Sequence, residues 1–173
     1  MTGGPARHGA TEPSARMLVA SPRDLKVALP AGRRLAGLDL GSKTIGVAVS
    51  DLTLFLASPL ITIRRTKFGA DATALGELVR RERVGGLVVG WPVNMDGSEG
   101  PRCQSVRQFA ANLLKRIDLP IAFWDERLST AAVTRAMLEA DLSRAKRARA
   151  VDKMAAAYIL QGALDALARL SPP

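Results

Sequence analysis

Three acidic residues of this sequence lie where a carboxylate is expected to do chemistry: Asp39, Glu126 and Asp152. Asp39 lies in the apolar run Leu35 to Leu40, where a charge is costly to bury unless a cation or hydrogen bonds compensate it. Gly41 follows and has no side chain, so a ligand could approach the backbone closely. The alternative interpretation is that Asp39 caps a hairpin turn.

Glu126 follows a second apolar run, Pro120 to Trp124. In open α/β sheets, ligands bind beyond the carboxyl ends of parallel strands, and Glu126 lies at such an end. Asp125 precedes it, and spacing does not decide which of the two enters a site; we prefer Glu126 because its side chain reaches further. The alternative is a solvated acidic turn paired with Arg127, an interaction that contributes little.

Asp152 lies at the start of the predicted closing helix, Val151 to Leu170. It shares one helical face with a row of small or apolar residues, which predicts that it lies on the packed face: Ala155, Ala156, Ile159, Ala163 and Ala166. The alternative is an acidic residue that interacts only with the helix dipole, which contributes about 0.3–1 kcal/mol.

Carboxylate oxygens are the ligands that Mg²⁺ and Mn²⁺ prefer. Two such ions about 4 Å apart can activate a water and stabilise the leaving oxygen in phosphodiester cleavage. The three acids therefore indicate metal-dependent phosphodiester hydrolysis, provided that the fold brings them together.

The charge of the chain favours a polyanionic substrate. Its 173 residues have a formal net charge of +9 and a pI near 10.8, and a domain this basic commonly binds nucleic acid. Basic residues cluster around the candidate acids: Lys43, Arg64, Arg65, Lys67, Arg144, Lys146, Arg147, Arg149 and Lys153. Aromatic residues are only 4% of the chain, which favours a structured substrate over an extended single strand.

Other site chemistries are excluded by composition. Cys103 is the single cysteine, so neither a disulfide within the chain nor a cysteine-based zinc site can be assembled. His8, the single histidine, lies in the predicted tail, which effectively rules out Ser-His-Asp catalysis and histidine metal sites. The cysteine usage fits a reducing cytosol, and we expect a cytoplasmic protein. The sequence has neither an apolar run of membrane-spanning length nor a signal-peptide pattern.

The elements that must position these residues follow from the apolar patterning. Residues 1–32 are predicted to be a poorly ordered tail with a docking segment near 25–29, and residues 33–170 to form the folded domain. Within the domain, strands are predicted at 35–40, 45–50, 58–63, 87–89 and 120–124, helices at 70–83, 105–116, 129–140 and 151–170, and a basic linker at 141–148. The first three strands form an antiparallel meander, and the βα units that follow predict a mixed sheet with helices on both faces.

The motifs together resemble the bacterial family described both as pre-16S ribosomal RNA nucleases and as Holliday junction resolvases. Four blocks carry the resemblance: Asp39 to Asp51, Val89 to Gly97, Trp124 to Thr130 and Asp152 to Leu160. It implies a ribonuclease-H-like fold, with a five-stranded mixed sheet whose second strand is antiparallel. It also implies that Asp39, Glu126 and Asp152 are catalytic and hold Mg²⁺ or Mn²⁺, with Asp125 as the alternative middle acid.

The same resemblance implies which residues contact the substrate. Lys43, Arg127 and Ser129 resemble the family's substrate-side residues, and Lys146, Arg147 and Arg149 would add phosphate contacts. The chain departs from the family at Thr44, where many members have Arg, and at Trp91, where Leu is common.

The implied function is an endonuclease that trims the 5′ end of precursor 16S RNA, on its own or on ribosomal precursor particles. The first alternative is resolution of four-way DNA junctions, which usually needs a symmetric dimer, whereas this sequence predicts a monomer or weak homodimer. A non-catalytic nucleic-acid-binding module is a further alternative. An actin-like ATP-binding protein is disfavoured, because that architecture needs two such domains.

Overall fold

The computed structural model describes residues 18–128 and 144–170, the second range with side chains from Asp152 onward. These ranges contain one six-stranded sheet with strands β1 (Leu18–Val19), β2 (Arg34–Leu40), β3 (Thr44–Ser50), β4 (Ala57–Arg64), β5 (Val84–Trp91) and β6 (Ile121–Asp125). The helices are α1 (Pro22–Ala28), α2 (Phe68–Arg81), α3 (Pro101–Leu114) and α4 (Arg144–Arg169), and a 3-10 turn spans Glu126–Leu128.

The strand order across the sheet is β1-β6-β5-β2-β3-β4. Strands β2, β3 and β4 pair antiparallel, as the predicted meander requires, whereas β2, β5, β6 and β1 pair parallel. The mixed α/β sheet of the ribonuclease-H-like prediction is confirmed. The predicted count of five strands is corrected to six, because β1 adds a short edge strand beside β6.

The additional strand comes from a segment that the sequence predicts to be tail. Residues 18–28 form β1 and α1 instead, and Leu25, within the predicted docking segment, is fully buried. Helix α1 begins with a capping box in which the Ser21 backbone N–H donates to Asp24 Oδ2 at 3.0 Å. Pattern reasoning misses β1 because two residues carry no periodicity and their partner strand lies about a hundred residues away.

Two other predicted boundaries are corrected. The strand predicted at 87–89 begins at Val84 and ends at Trp91, so it includes Gly85 and Gly86, and the turn before it is made by Arg83, whose φ is +56°. The predicted linker 141–148 is helical from Arg144 onward. The predicted helix 129–140 lies outside the described residues.

Helices cover both faces of the sheet. Helices α2 and α3 pack on one face, where Leu75, Phe109 and Leu113 join Leu38 in a buried cluster. Helices α1 and α4 pack on the other face, where Leu25 and the α4 residues Ala156 and Leu160 join Leu35, Ala48, Val88 and Ala122. Alternation along β2 therefore directs its odd-numbered residues towards α4.

Candidate functional site

Asp39 lies near the carboxyl end of β2, on the face covered by α4, and it is only 3% exposed. Its antiparallel partner is Gly46 on β3. On the other side, the parallel register pairs Leu38 with Val89, which brings Gly90 of β5 beside Asp39. Asp39 is thus flanked by two residues without side chains, so other parts of the chain can approach the sheet closely on either side of it.

Gly46 brings α4 onto the sheet beside Asp39. A Cβ at Gly46 would lie 1.9 Å from the carbonyl oxygen of Asp152, a separation that no real side chain could occupy. The helix backbone therefore lies directly against β3, and only glycine permits it. As a result, Asp39 and Asp152 line one cavity of about 600 Å³.

The side chain of Asp152 is oriented by Thr44, whose hydroxyl Oγ1 donates a hydrogen bond to Asp152 Oδ2. Asp152 lies two turns inside α4, which begins at Arg144, rather than at the predicted helix start. Because dipole effects fall off within the first turn, interaction with the helix dipole does not explain this position. Thr44 therefore contacts one of the candidate acids directly.

Glu126 follows β6 and turns back over the end of β5. A Cβ at Gly90 would lie 2.7 Å from Glu126 Oε1 and 2.6 Å from the Cδ1 of Ile159 on α4. Glu126 therefore lies on the same face of the sheet as Asp39. It lines a second cavity of about 300 Å³, which shares Pro101 and Arg102 with the first.

Asp125 lies on the opposite face, since it pairs with Trp91 one position beyond the Gly90–Trp124 pair. Its carboxylate forms an ion pair with Arg127 at 2.7 Å and accepts a hydrogen bond from the Arg127 backbone N–H at 2.9 Å. Hydrogen bonding to the Arg127 side chain holds the pKa of Asp125 below its ordinary value. The geometry therefore favours Glu126 over Asp125, because Glu126 lies on the same side of the sheet as Asp39.

Arg127 connects the 3-10 turn to the loop after β5. Its Nη1 donates to the Met95 carbonyl oxygen at 3.4 Å, and its pairing with Asp125 is the principal cause that raises its pKa. In that loop, the hydroxyl of Ser98 donates to Asp96 Oδ1 at 2.6 Å, and this is the main reason that the pKa of Asp96 is lowered. Arg127 thus acts structurally in addition to any contact with substrate.

The remaining residues predicted to contact substrate are exposed or lie where the structure does not describe their side chains. Lys43 is exposed at the tip of the loop between β2 and β3, beside the lining residues Gly41 and Ser42. Lys146, Arg147 and Arg149 lie in the first turns of α4, and their side chains are outside the description. Ser129 lies outside the described residues.

The cavity also contains residues that were absent from the predicted site: Arg65, Arg102, Ser105, Val106 and Phe109. They come from the start of the segment after β4 and from the first turns of α3. The one available signal is the basic run Arg64, Arg65 and Lys67, but spacing alone does not show which of these residues faces the acids.

The donor set suits a hard divalent cation. Within residues 18–128 and 152–170, no three acidic, histidine or cysteine side chains lie close enough together to hold a metal ion jointly. Mg²⁺, however, usually keeps several waters and binds through one or two carboxylates, and Asp39 and Asp152 line the same cavity. The pair Asp39 and Asp152 therefore fits such an ion, while Glu126 lines the adjoining cavity.

Comparison with known proteins gives the family. The sequence profile of the RuvX family, described as a Holliday junction resolvase, matches residues 33–166. The chain belongs to this family. A protein of Paramagnetospirillum magneticum named "Putative pre-16S rRNA nuclease" is 63% identical over 149 residues, which cover 86% of this chain and 96% of that protein. A protein of Roseobacter denitrificans with the same name is 62% identical over 151 residues, covering 86% and 93%.

Solved structures agree on the fold of this RuvX-family protein. Thermus thermophilus RuvC in complex with a Holliday junction aligns with a TM-score of 0.52 at 17% identity, covering 82% of this chain and 99% of RuvC. At that identity the likeness shows the fold alone. Among the described helices, none is both long enough and apolar enough to cross a membrane.

Proposed function

We propose that this protein is a metal-dependent endonuclease that hydrolyses a phosphodiester bond at the 5′ end of precursor 16S ribosomal RNA. The observation that carries the proposal is the close approach of α4 to Gly46, which places Asp39 and Asp152 in one cavity. The names of the close relatives support a precursor RNA as the substrate. We place this activity in the cytoplasm, on ribosomal precursor particles, and in a monomer or weak homodimer.

In this proposal, Asp39 and Asp152 hold Mg²⁺ or Mn²⁺, and Glu126 completes the site from the end of β6. The bound ion supplies charge neutralisation and water activation for phosphodiester cleavage. Thr44 fixes the Asp152 carboxylate, while Gly46 and Gly90 let α4 and the Glu126 side chain approach the sheet closely on either side of Asp39. The protein's own contribution is therefore to fix carboxylate positions against a rigid sheet.

The substrate side of the site is basic. The formal net charge of +9 favours binding to a phosphate backbone, and we assign phosphate contacts to Lys43, Arg127, Ser129, Lys146, Arg147 and Arg149. Affinity should therefore fall with rising salt concentration, because each neutralised phosphate releases bound counterions.

The proposal is tested by cleavage of two labelled substrates, a precursor 16S 5′-leader RNA and a four-way DNA junction, with Mg²⁺ or Mn²⁺. Wild type and Asp39→Asn are compared, with Asp125→Asn as a matched acid-to-amide control on the opposite face of the sheet. We expect metal-dependent cutting of the RNA by wild type and Asp125→Asn, and its loss in folded Asp39→Asn. Unchanged cutting by Asp39→Asn would contradict the proposal.

Resolution of DNA junctions is the second candidate, favoured by the description of the family profile. It predicts symmetric cleavage of the four-way junction and a dimer at working concentration, because two strands must be cut. Cutting of the DNA junction without cutting of the RNA would establish junction resolution as the activity, in place of RNA processing. Tight binding without cutting of either substrate would favour a binding module.

A further inference from the structure

Arg65 donates hydrogen bonds to both ends of the loop Gly41 to Lys43, which follows β2. Its backbone N–H donates to the Lys43 carbonyl oxygen at 2.8 Å, which extends the β3–β4 ladder by one residue. Its side-chain Nη1 donates to the Gly41 carbonyl oxygen at 2.6 Å. These hydrogen bonds therefore hold the guanidinium near the carboxyl end of β2, where Asp39 lies.

Two further contacts orient the guanidinium. Its central carbon lies 5.3 Å from the centre of the Phe109 ring, and its Nε lies 3.9 Å from Asp71 Oδ2. Asp71 is only 3% exposed, and its Oδ1 accepts a hydrogen bond from the Thr66 backbone N–H at 3.0 Å. A buried, hydrogen-bonded carboxylate and an aromatic face thus restrain a side chain that is 31% exposed.

Arg65 lines the same cavity as Asp39 and Asp152. A planar guanidinium presents five N–H donors and suits bidentate recognition of phosphate oxygens, and it stays charged at any working pH. The adjacent Arg64 carries the same charge, but it is exposed and does not line the cavity. The two neighbouring arginines therefore differ in position but not in chemistry.

We propose that Arg65 is a phosphate-binding residue of the active cavity, and that Asp71 and Phe109 are its positioning residues. The ligand is a phosphodiester group of the nucleic-acid substrate, next to the bond that is cut. This inference rests on the proposed nuclease function and adds a subsite that the four sequence motifs do not contain.

The test measures both cleavage and binding. Cleavage of the 5′-leader RNA is followed for wild type, Arg65→Ala, Arg65→Lys and Asp71→Asn, with Arg64→Ala as the control that loses the same charge. Equilibrium binding of the RNA is measured in the Asp39→Asn background over a range of salt concentrations, so that cleavage does not interfere. Circular dichroism and thermal melting report folding of every variant.

We expect Arg65→Ala to lower kcat/KM by about 10- to 100-fold, as the loss of a charge-assisted contact does. The slope of log affinity against log salt should fall by about one, since one phosphate contact is lost. Arg65→Lys should retain the salt slope but recover only part of kcat/KM. Asp71→Asn should raise KM more than it lowers kcat. Arg64→Ala should change KM and kcat by less than about threefold each.

Equal affinities and salt slopes for folded Arg65→Ala and Arg64→Ala would overturn the inference. If Arg65→Ala does not fold, Arg65→Lys decides, because full wild-type kcat/KM in that variant would show that the bidentate fork is not used. These outcomes are separate from failure of the nuclease proposal, which would appear as undiminished cleavage by Asp39→Asn whatever Arg65 does.

Discussion

The two faces of the central sheet are built from residues of different size. On the face covered by α4, a Cβ at Gly37 would lie 2.7 Å from the Ala156 carbonyl oxygen, and one at Gly46 would lie 1.9 Å from that of Asp152. On the face covered by α2 and α3, large side chains such as Leu75 and Leu113 fill the space instead. The small-residue face lets a helix backbone reach the sheet, and that is the face where Asp39, Asp152 and Glu126 lie.

Close backbone packing on one face, and not only the presence of acidic residues, therefore forms the candidate site. Large side chains hold α2 and α3 away from the sheet and stabilise the domain by burying apolar area. Glycines and alanines hold α4 near the sheet, so its Asp152 side chain reaches the end of β2. Substitutions on the two faces should therefore separate stability from activity.

The largest effect on activity should come from Gly46→Ala. The added methyl would overlap the Asp152 backbone, so α4 must shift, and we expect kcat/KM to fall on the order of 100-fold because small misplacements at a reacting centre are that costly. Overpacking should also cost about 3 kcal/mol in the free energy of unfolding. Cleavage assays and urea unfolding measure the two effects.

The control for that substitution is Gly76→Ala in α2, where an added Cβ meets nothing within 4 Å. It should stabilise the protein by about 0.5–1 kcal/mol, since alanine loses less entropy than glycine in a helix, and leave cleavage unchanged. Equal loss of activity in both variants would refute the role given to the α4 face.

On the other face, Leu75→Ala should affect stability rather than chemistry. Leu75 is 1% exposed, and its truncation should cost about 2–5 kcal/mol through lost burial and a residual cavity. Below its melting temperature, the folded variant should keep kcat/KM within about threefold of wild type, because Leu75 lines neither of the two cavities that contain the candidate acids. If Leu75→Ala lowered kcat/KM as far as Gly46→Ala does, the two faces would not differ in their effect on activity.

A smaller effect is expected at Thr44. Thr44→Val keeps the shape but loses the hydrogen bond to Asp152, which should lower kcat/KM by about tenfold and the free energy of unfolding by about 1 kcal/mol. Thr44→Ser keeps the hydroxyl and should stay close to wild type in both measurements. Identical rates for the Val and Ser variants would show that the hydroxyl does not orient the acid.

The smallest effect concerns pH and the pair of Asp125 with Arg127. Because the folded-state pKa of Asp125 is lowered, the pair stabilises the protein above about pH 4, and that contribution is lost as the pH falls through the lowered pKa. The difference in melting temperature between wild type and Arg127→Ala should therefore shrink between pH 5 and pH 2. The difference should be small throughout because solvent screens the pair, and a difference that grows on acidification would contradict the assignment.

Much of the fold follows from local patterns, because the meander and the βα units have clear apolar periods. The acids Asp39 and Asp152 also stand out in sequence, since each lies in an otherwise apolar setting. Their convergence does not follow from spacing, because it depends on whether Gly46 of β3 faces α4. Strand register decides that, and a shift of one residue would turn Gly46 to the other face.

The choice between Asp125 and Glu126 illustrates the same limit. Both follow one strand, and only the pairing of Trp91 with Asp125 shows that Asp125 lies on the wrong face for Asp39. Arg65 is likewise indistinguishable from Arg64 in sequence. Contacts with Gly41 and Phe109, which lie on separate elements, identify it.

Binding of Mn²⁺ is the direct test of the proposal that Asp39 and Asp152 form one metal-binding site. Isothermal titration and electron paramagnetic resonance would compare wild type with Asp39→Asn and Asp152→Asn, using Asp125→Asn as the control. We expect each of the first two substitutions to weaken the same binding event at least about tenfold and the control to leave it unchanged. Wild-type Mn²⁺ affinity in folded Asp152→Asn would contradict the claim.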